Sequence, residues 1–385
     1  MKKGMWTKDY IFAVFVLLCV HTGPYLLLSV ITVYGKLLSG SDTMAGMMAS
    51  VFALSGLFAR FLSAWLLDKF PLKKVLIGFS AVMAAASFIY IFSNSFMSAF
   101  ILRGIQGLAY GVTCTAMSTY IVQLLDPEYR LEGIGYSSLT ANLANAVGPT
   151  AAYALLGENV DQFQALFTAV FISTVLSLVL MFFVRDKKEE VSKEQESNEK
   201  GGFGLIVIPF VIWMSMSFAM SSVAAFLSLS ALEKGFSGIG LFFTFNVIGL
   251  VISRFVMKRL MDRFGENTMI MAMIIIIAAS LAGIGLASRV WQLYVIALPF
   301  GFANGCLAPI INTKMINSLP DSRSGFANAV FFAAGDAGFI IGPTALGMIA
   351  QAAGYTFAFI FSAAICVLMA AFQLLTGRRV QHENI

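Results

Sequence analysis

The sequence predicts an all-α membrane protein: twelve transmembrane helices in two pseudo-symmetric six-helix bundles. Three observations carry that expectation. Hydrophobic residues make up 59% of the 385 and charged residues only 12%, with a mean hydropathy of +0.84, a composition that suits a bilayer and not water. Twelve apolar runs approach or exceed the ~20 residues that a helix needs to cross the hydrocarbon. The second half also repeats the first at a constant offset of 194 residues, the signature of two copies of one unit.

The runs lie near residues 10–33, 44–66, 74–93, 97–124, 133–157 and 163–184, then 203–232, 238–257, 268–287, 290–318, 323–351 and 355–376. Met1-Lys2-Lys3 ahead of Ile11 to Val20 has the outline of a signal peptide. No small-residue cleavage site follows, and the repeat needs this run as its first member, so it is expected to stay as the first helix. The second run ends in Arg60-Phe61, with Asp68-Lys69-Phe70-Pro71-Leu72-Lys73-Lys74 behind it. The eighth run ends the same way, in Arg254-Phe255 followed by Asp262-Arg263-Phe264-Gly265. The same offset carries Gly107 to Gly301, Gly111 to Gly305, Thr119 to Thr313 and Gly148-Pro149-Thr150 to Gly342-Pro343-Thr344.

Between the sixth and seventh runs, residues 185–202 mix charges with a single apolar side chain, Val191, and read as a solvated linker. The expected organisation is an N-terminal six-helix bundle over 1–184, a cytoplasmic linker over 185–202 and a C-terminal six-helix bundle over 203–385. With the N-terminus inside, 18 of the 25 Lys and Arg fall on the inner side and three, Lys36, Lys234 and Arg289, on the outer. The positive-inside rule then places both termini and the linker in the cytoplasm of a cell-membrane, multi-pass protein.

Composition also excludes functions. The pI near 9.0 comes from bases that punctuate apolar runs, not from a basic soluble face, so no nucleic acid is expected as partner. Cys19, Cys114, Cys306 and Cys366 all lie inside apolar runs without C-x-x-C spacing, which argues against disulfides and a metal site. No phosphate-binding G-x-x-x-x-G-K-[ST] loop, H-E-x-x-H or G-x-S-x-G occurs, so neither direct use of ATP nor an enzyme is expected, and no cofactor is implied.

Three local motifs, with the twelve runs and the repeat, make the chain resemble the major facilitator superfamily over nearly its whole length. The loop after the second run meets the family signature G-x-x-x-D-[RK]-x-G-R-[RK] at Asp68, Lys69 and Lys73, but Ala64, Pro71 and Leu72 depart from it. The fourth run meets R-x-x-Q-G in full, with Arg103, Gln106 and Gly107. The fifth carries Gly135, Ala144, Gly148 and Pro149 of the signature that the family associates with exporters working by antiport, with Ala152 and Tyr153 where its last glycines would fall. The resemblance implies a carrier that works by alternating access, usually as a monomer. It also implies a conformational gate at Asp68, Lys69 and Lys73, with Asp262 and Arg263 as repeat counterparts; for the lysines the alternative is service to the positive-inside rule alone. Gly148-Pro149 and Gly342-Pro343 are expected to bend their helices, since proline removes a backbone donor; their repetition equally fits a purely architectural role.

Charges inside a bilayer are expensive, so each one there is a functional candidate. Asp336 is the one acid within an apolar run, and its repeat partner is Asn142; it is expected to bind a proton or a cationic substrate, the alternative being a permanent structural pair. His21, at mid-depth in the first run, is a second titratable candidate; the alternative is a satisfied, neutral histidine donating to a helix neighbour. Arg103 keeps its charge, and its work is to modulate a nearby acid or hold an anionic group; the bland alternative is snorkelling to the interface. Lys314 is expected to snorkel. Tyr25, Gln106, Asn142, Asn145, Trp213, Ser217, Asn246, Asn304 and Asn312 are the remaining candidates for a polar cavity lining.

The expected function is therefore secondary active export of a small organic compound, drug-like or metabolite, in exchange for protons. Importer or facilitator of a sugar, nucleoside or organic acid on the same fold is the alternative, and a receptor that senses without transporting is the rival from another class. The expected partners are the small-molecule substrate, protons and the lipid bilayer.

Overall fold

The structure, a computed structural model, describes residues 5–126, 129–156, 162–185, 203–319 and 324–382. The linker predicted at 185–202 lies, beyond Arg185, outside the described residues. Among the described residues thirteen helices follow in order: α1 (Lys8–Leu27), α2 (Ile31–Ser39), α3 (Asp42–Lys69), α4 (Leu72–Tyr90), α5 (Phe96–Leu124), α6 (Arg130–Leu156) and α7 (Phe163–Met181), then α8 (Phe203–Glu233), α9 (Gly240–Phe264), α10 (Glu266–Leu286), α11 (Val290–Asn317), α12 (Ser324–Ala353) and α13 (Tyr355–His382). No strand occurs among the described residues.

Thirteen helices make twelve spans because α1 and α2 form one 32-residue crossing, Lys8–Ser39. The break follows Pro24, which has no N–H to offer the turn before it. At 28–30 the backbone tightens to three-residue bonds, Leu28 to Tyr25 and Val30 to Leu27. Ten spans are long and apolar enough to cross a membrane by composition. The other two, α5 and α6, have the length, 29 and 27 residues, but carry Arg103, Gln106, Asn142 and Asn145 among their apolar residues.

Helix ends follow local chemistry. Thr7 Oγ1 accepts from the Tyr10 amide to start α1, and Ser95 Oγ accepts from Ser98 to start α5, both satisfying backbone donors left over at a helix N-terminus. Gly40 (φ 70°) and Gly265 (φ 77°) take the left-handed backbone that turns α2 into α3 and α9 into α10. Within the spans, many hydroxyls bond back to their own helix, as Ser63 does to Ala59 and Ser280 to Ile276, which satisfies them without water.

Contacts divide the chain into two compact units: residues 1–40 with 51–194, and residues 41–50 with 195–385. In unit 1, α1 packs on α5, α6 and α7, and α4 on α5 and α7, around a core that includes Tyr10, Val16, Leu76, Met83, Val112 and Met117. In unit 2, α8 packs on α12 and α13, α9 on α11, and α10 on α11 and α13. The first turns of α3 belong with unit 2: Asp42 accepts from the Tyr355 hydroxyl, Gln351 Oε1 accepts from Ser41 and Thr43 Oγ1 (2.8 and 2.7 Å), and Thr344 is bonded to Ser50 (2.8 Å).

Each unit is drawn together by glycines at matching positions. A Cβ on Gly107 would stand 2.6 Å from the carbonyl oxygen of Phe52, and Gly301 abuts the carbonyl of Asn246. Gly111 meets Gly56 and Ala59, and Gly305 meets Leu250 and Ser253. Every one of these neighbours is itself displaced by 194 residues, so the repeat extends to the contacts. Small residues let helix backbones approach where no hydrophobic force drives helices together in lipid. Outward, Phe61 and its repeat partner Phe255 are 72% and 78% exposed, side chains that need a lipid environment.

Candidate functional site

In unit 1 the polar interior gathers on one face of α5. Arg103 is 1% exposed; its Nη1 donates to Gln106 Oε1 at 2.6 Å, and its guanidinium lies 4.0 Å from the centre of the Phe52 ring on α3. It does not snorkel. Gln106 in turn donates to Ser87 Oγ of α4 at 3.3 Å, so this amide is spent on holding α4, α5 and the arginine together. A desolvated cation over an aromatic face gains roughly 2 kcal/mol, a fraction of what burying the charge costs, and no described carboxylate is paired with it. A buried cation held this way keeps its charge available to an acid or anion that comes near.

Two turns beyond Arg103, Tyr110 continues the same face. Its ring lies 5.5 Å from that of Phe52, and its hydroxyl is 2.7 Å from Nδ1 of His21, itself buried on α1. Tyr25, one turn after His21, completes the group with a ring 6.0 Å from the imidazole. Gly148 of α6 lies against the Tyr25 backbone, where a Cβ would stand 2.7 Å from the carbonyl oxygen. The Gly148-Pro149 stretch therefore seats α6 on α1 beside this cluster. Asn145 is exposed on α6, and the side chain of Asn142 lies outside the described residues.

In unit 2, Trp213 of α8 stacks on Phe331 of α12 with ring centres 4.8 Å apart and an interplanar angle of 15°. Gly335 faces the Trp213 indole nitrogen, and Gly338 faces the buried Ser217, with prospective Cβ distances of 3.1 and 2.7 Å. Asp336, between these glycines, is half-buried on α12. Gly342 continues the contact to Ser221 and Phe218, as Gly148 does to α1. Asn312 donates to Asn328 Oδ1 at 3.0 Å, tying α11 to α12. Asn246 presses its backbone and amide oxygen against Gly301, which makes it part of the α9–α11 packing; Asn304 is half-buried on α11.

At the helix ends, Asp68 and Lys69 are exposed, with the Lys69 ammonium 4.5 Å from the Trp65 ring centre. Lys73 is half-buried just inside α4. Asp262 and Arg263 are exposed at the end of α9, with Arg263 over Phe264. Lys314 turns to the first turn of α10, 3.4 Å from Glu266 and bonded to Asn267, since α10 and α11 pack side by side. Sequence reasoning passed over Phe52, Tyr110, Phe331 and Asn328. For Tyr110 a signal existed: it stands seven residues after Arg103 on a helical repeat that keeps both on one face.

The sequence model described as "Major Facilitator Superfamily" matches residues 13–238 and 205–384. The chain belongs to that superfamily. Membership makes it a multi-pass membrane transporter and not an enzyme. Among characterised relatives, it is 20% identical over 351 residues to the staphylopine export protein of Staphylococcus aureus (strain Mu50), covering 87% of each chain. It is 23% identical to multidrug resistance protein MdtG of Citrobacter koseri, covering 86% of this chain and 84% of that one. Among solved structures, a bacterial homologue of the human lysosomal transporter Spinster, inward-facing and unoccupied, superposes with a TM-score of 0.79, at 13% identity and 98% coverage of both chains; at that identity the likeness concerns the fold.

Proposed function

We propose that this transporter exports a small organic compound, drug-like or metabolite, across the cell membrane by alternating access and in exchange for protons. The observation that carries the reading is the pair of ionisable centres in the spans. Unit 1 holds a buried Arg103 with His21 close by on the same aromatic cluster, and α12 holds Asp336 half-buried among glycines beside Trp213. Groups so placed bind a proton or a charged ligand only if binding repays their burial. The names of the relatives, a staphylopine exporter and a multidrug resistance protein, favour the outward direction.

In this reading Asp336 and His21 carry protons, and Arg103 modulates a nearby acid or holds an anionic group. Trp213, Ser217, Tyr25, Asn145, Asn304 and Asn312 contribute to substrate binding. Asp68, Lys69 and Lys73 on the first half, with Asp262 and Arg263 on the second, form the cytoplasmic gate. The two bundles span 1–184 and 203–385, joined by the linker at 185–202, with both termini in the cytoplasm and the monomer as working unit.

The test is proton release from energised inverted vesicles, followed with a pH-sensitive dye over a chemically diverse panel of compounds. A compound that dissipates the gradient with native protein and not with Asp336→Asn supports antiport export. Uptake driven the opposite way by the same compound overturns the direction and leaves the importer.

A further inference from the structure

His21 and Tyr25 stand one turn apart on α1, and Tyr110 and Cys114 stand one turn apart on α5. The two pairs meet side by side, as residues at i and i+4 on facing helices can. Tyr110 Oη is 2.7 Å from His21 Nδ1, Cys114 Sγ is 3.9 Å from the same nitrogen, and the Tyr110 hydroxyl also bonds with Cys114 and Tyr25. One hydroxyl thus sits at the junction of an imidazole, a phenol and a thiol.

A phenolic hydroxyl has one hydrogen to donate and can also accept, while a neutral imidazole has one nitrogen of each kind and an imidazolium has two donors. With the His21 proton on Nε2, Tyr110 donates to Nδ1. Once the ring carries both protons, Nδ1 becomes the donor, and Tyr110 must turn its own hydrogen elsewhere. Tyr25 and Cys114 are the acceptors in place for that second arrangement. The charged and polar groups around the cluster are Arg103, which shares the Phe52 ring with Tyr110 and acts on Tyr110 through space, Arg60 of α3, which acts on Cys114 through space, Ser173 and Thr174 of α7 against Gly23, and Gly148 of α6 against the Tyr25 backbone.

We propose that Tyr110 is the positioning residue of a proton-carrying His21. It grips the ring by Nδ1, keeps the single proton of the neutral ring on Nε2, and reverses its own hydrogen toward Tyr25 or Cys114 when the ring takes up a second. The ring gains one proton and one charge, and Tyr110 remains a neutral hydroxyl throughout. This inference rests on the reading of His21 as a proton carrier given above; without Tyr110 the ring would be free to take up its proton on either nitrogen.

The chain has only two histidines, His21 and His382, so the full-length His382→Gln protein labelled with 15N-histidine reports His21 alone. In that background the neutral ring is expected as the Nε2–H tautomer. Tyr110→Phe is expected to give both tautomers and to move the midpoint of the ring titration by about half a pH unit or more. Tyr25→Phe, which leaves the Tyr110–His21 bond, is expected to keep the tautomer and move the midpoint, and serves if Tyr110→Phe does not fold. A native ring with its proton on Nδ1, or spectra indifferent to both substitutions, overturns the proposal while leaving His21 a carrier. A His21 ring that does not titrate between about pH 5 and 9 overturns the carrier reading and the positioning role together.

Discussion

Gly148 and Tyr25 meet backbone to backbone: a Cβ on the glycine would stand 2.7 Å from the tyrosine carbonyl oxygen and 2.8 Å from its carbon. A carbonyl in a helix cannot move aside as a side-chain tip can. Gly148→Val is therefore expected to push α6 from α1 and to lower stability by about 1–3 kcal/mol, the usual range for overpacking a close contact. Gly135→Ala on the same helix, with nothing within 4 Å of the prospective Cβ, should leave stability unchanged or slightly raised. Thermal unfolding of the two purified variants in detergent checks both.

Gly301 against Asn246 is the unit 2 counterpart of Gly107 against Phe52. Gly301→Leu should separate α9 from α11 and lower both folded yield and transport. Gly78→Ala, which meets nothing within 4 Å, is the matched control. Equal behaviour of the two variants in a detergent stability assay would contradict the packing role assigned to the repeated glycines.

Arg103 separates a structural from a functional role for its charge. Arg103→Met keeps most of the side chain's bulk against Phe52 and removes a buried cation, and replacing buried charge by apolar volume is often neutral or stabilising. The variant is expected to fold with an unchanged or higher melting temperature while substrate-driven proton release falls about tenfold or more, equivalent to ~1.4 kcal/mol. Arg103→Lys should recover little, because a compact ammonium reproduces neither the planar contact with Phe52 nor the geometry of the bond to Gln106. A folded, fully active Arg103→Met protein would remove Arg103 from the transport mechanism.

The first turns of α3 are held to unit 2 by Asp42 with Tyr355 and by Gln351 with Ser41 and Thr43. Tyr355→Phe combined with Gln351→Ala deletes these bonds at about 0.5–1.5 kcal/mol each. Hydrogen exchange should then quicken over residues 42–50 before it does over the remainder of α3, since local opening follows the weakest-held segment. Uniform exchange along α3 in both proteins would show that these contacts do not hold its start.

Much of the fold was legible in the chain itself. Crossing a bilayer demands a long apolar run, and the 194-residue offset marked which glycines and prolines are counterparts, down to Phe61 and Phe255 on the lipid side. The break in the first span was less legible, because Pro24 signals a disturbed turn without saying whether the helix resumes. The candidate site was legible only as an inventory of polar residues in apolar surroundings. Gln106 stood in that inventory beside His21 and Trp213, its amide bonded to Arg103 and Ser87, and Tyr110 did not stand in it.

By itself, the sequence determined the twelve spans, the two-fold repeat and the set of side chains too polar for lipid. Hydrophobicity and periodicity are local properties of a chain, and the bilayer reads them one helix at a time. Only the tertiary structure decided which of those side chains meet. His21 and Tyr110 are 89 residues apart and Asp42 and Tyr355 313. Their contacts depend on how far each helix is rotated about its axis and how closely its neighbours approach, and glycines such as Gly107 and Gly148 set that approach by leaving no Cβ in the way.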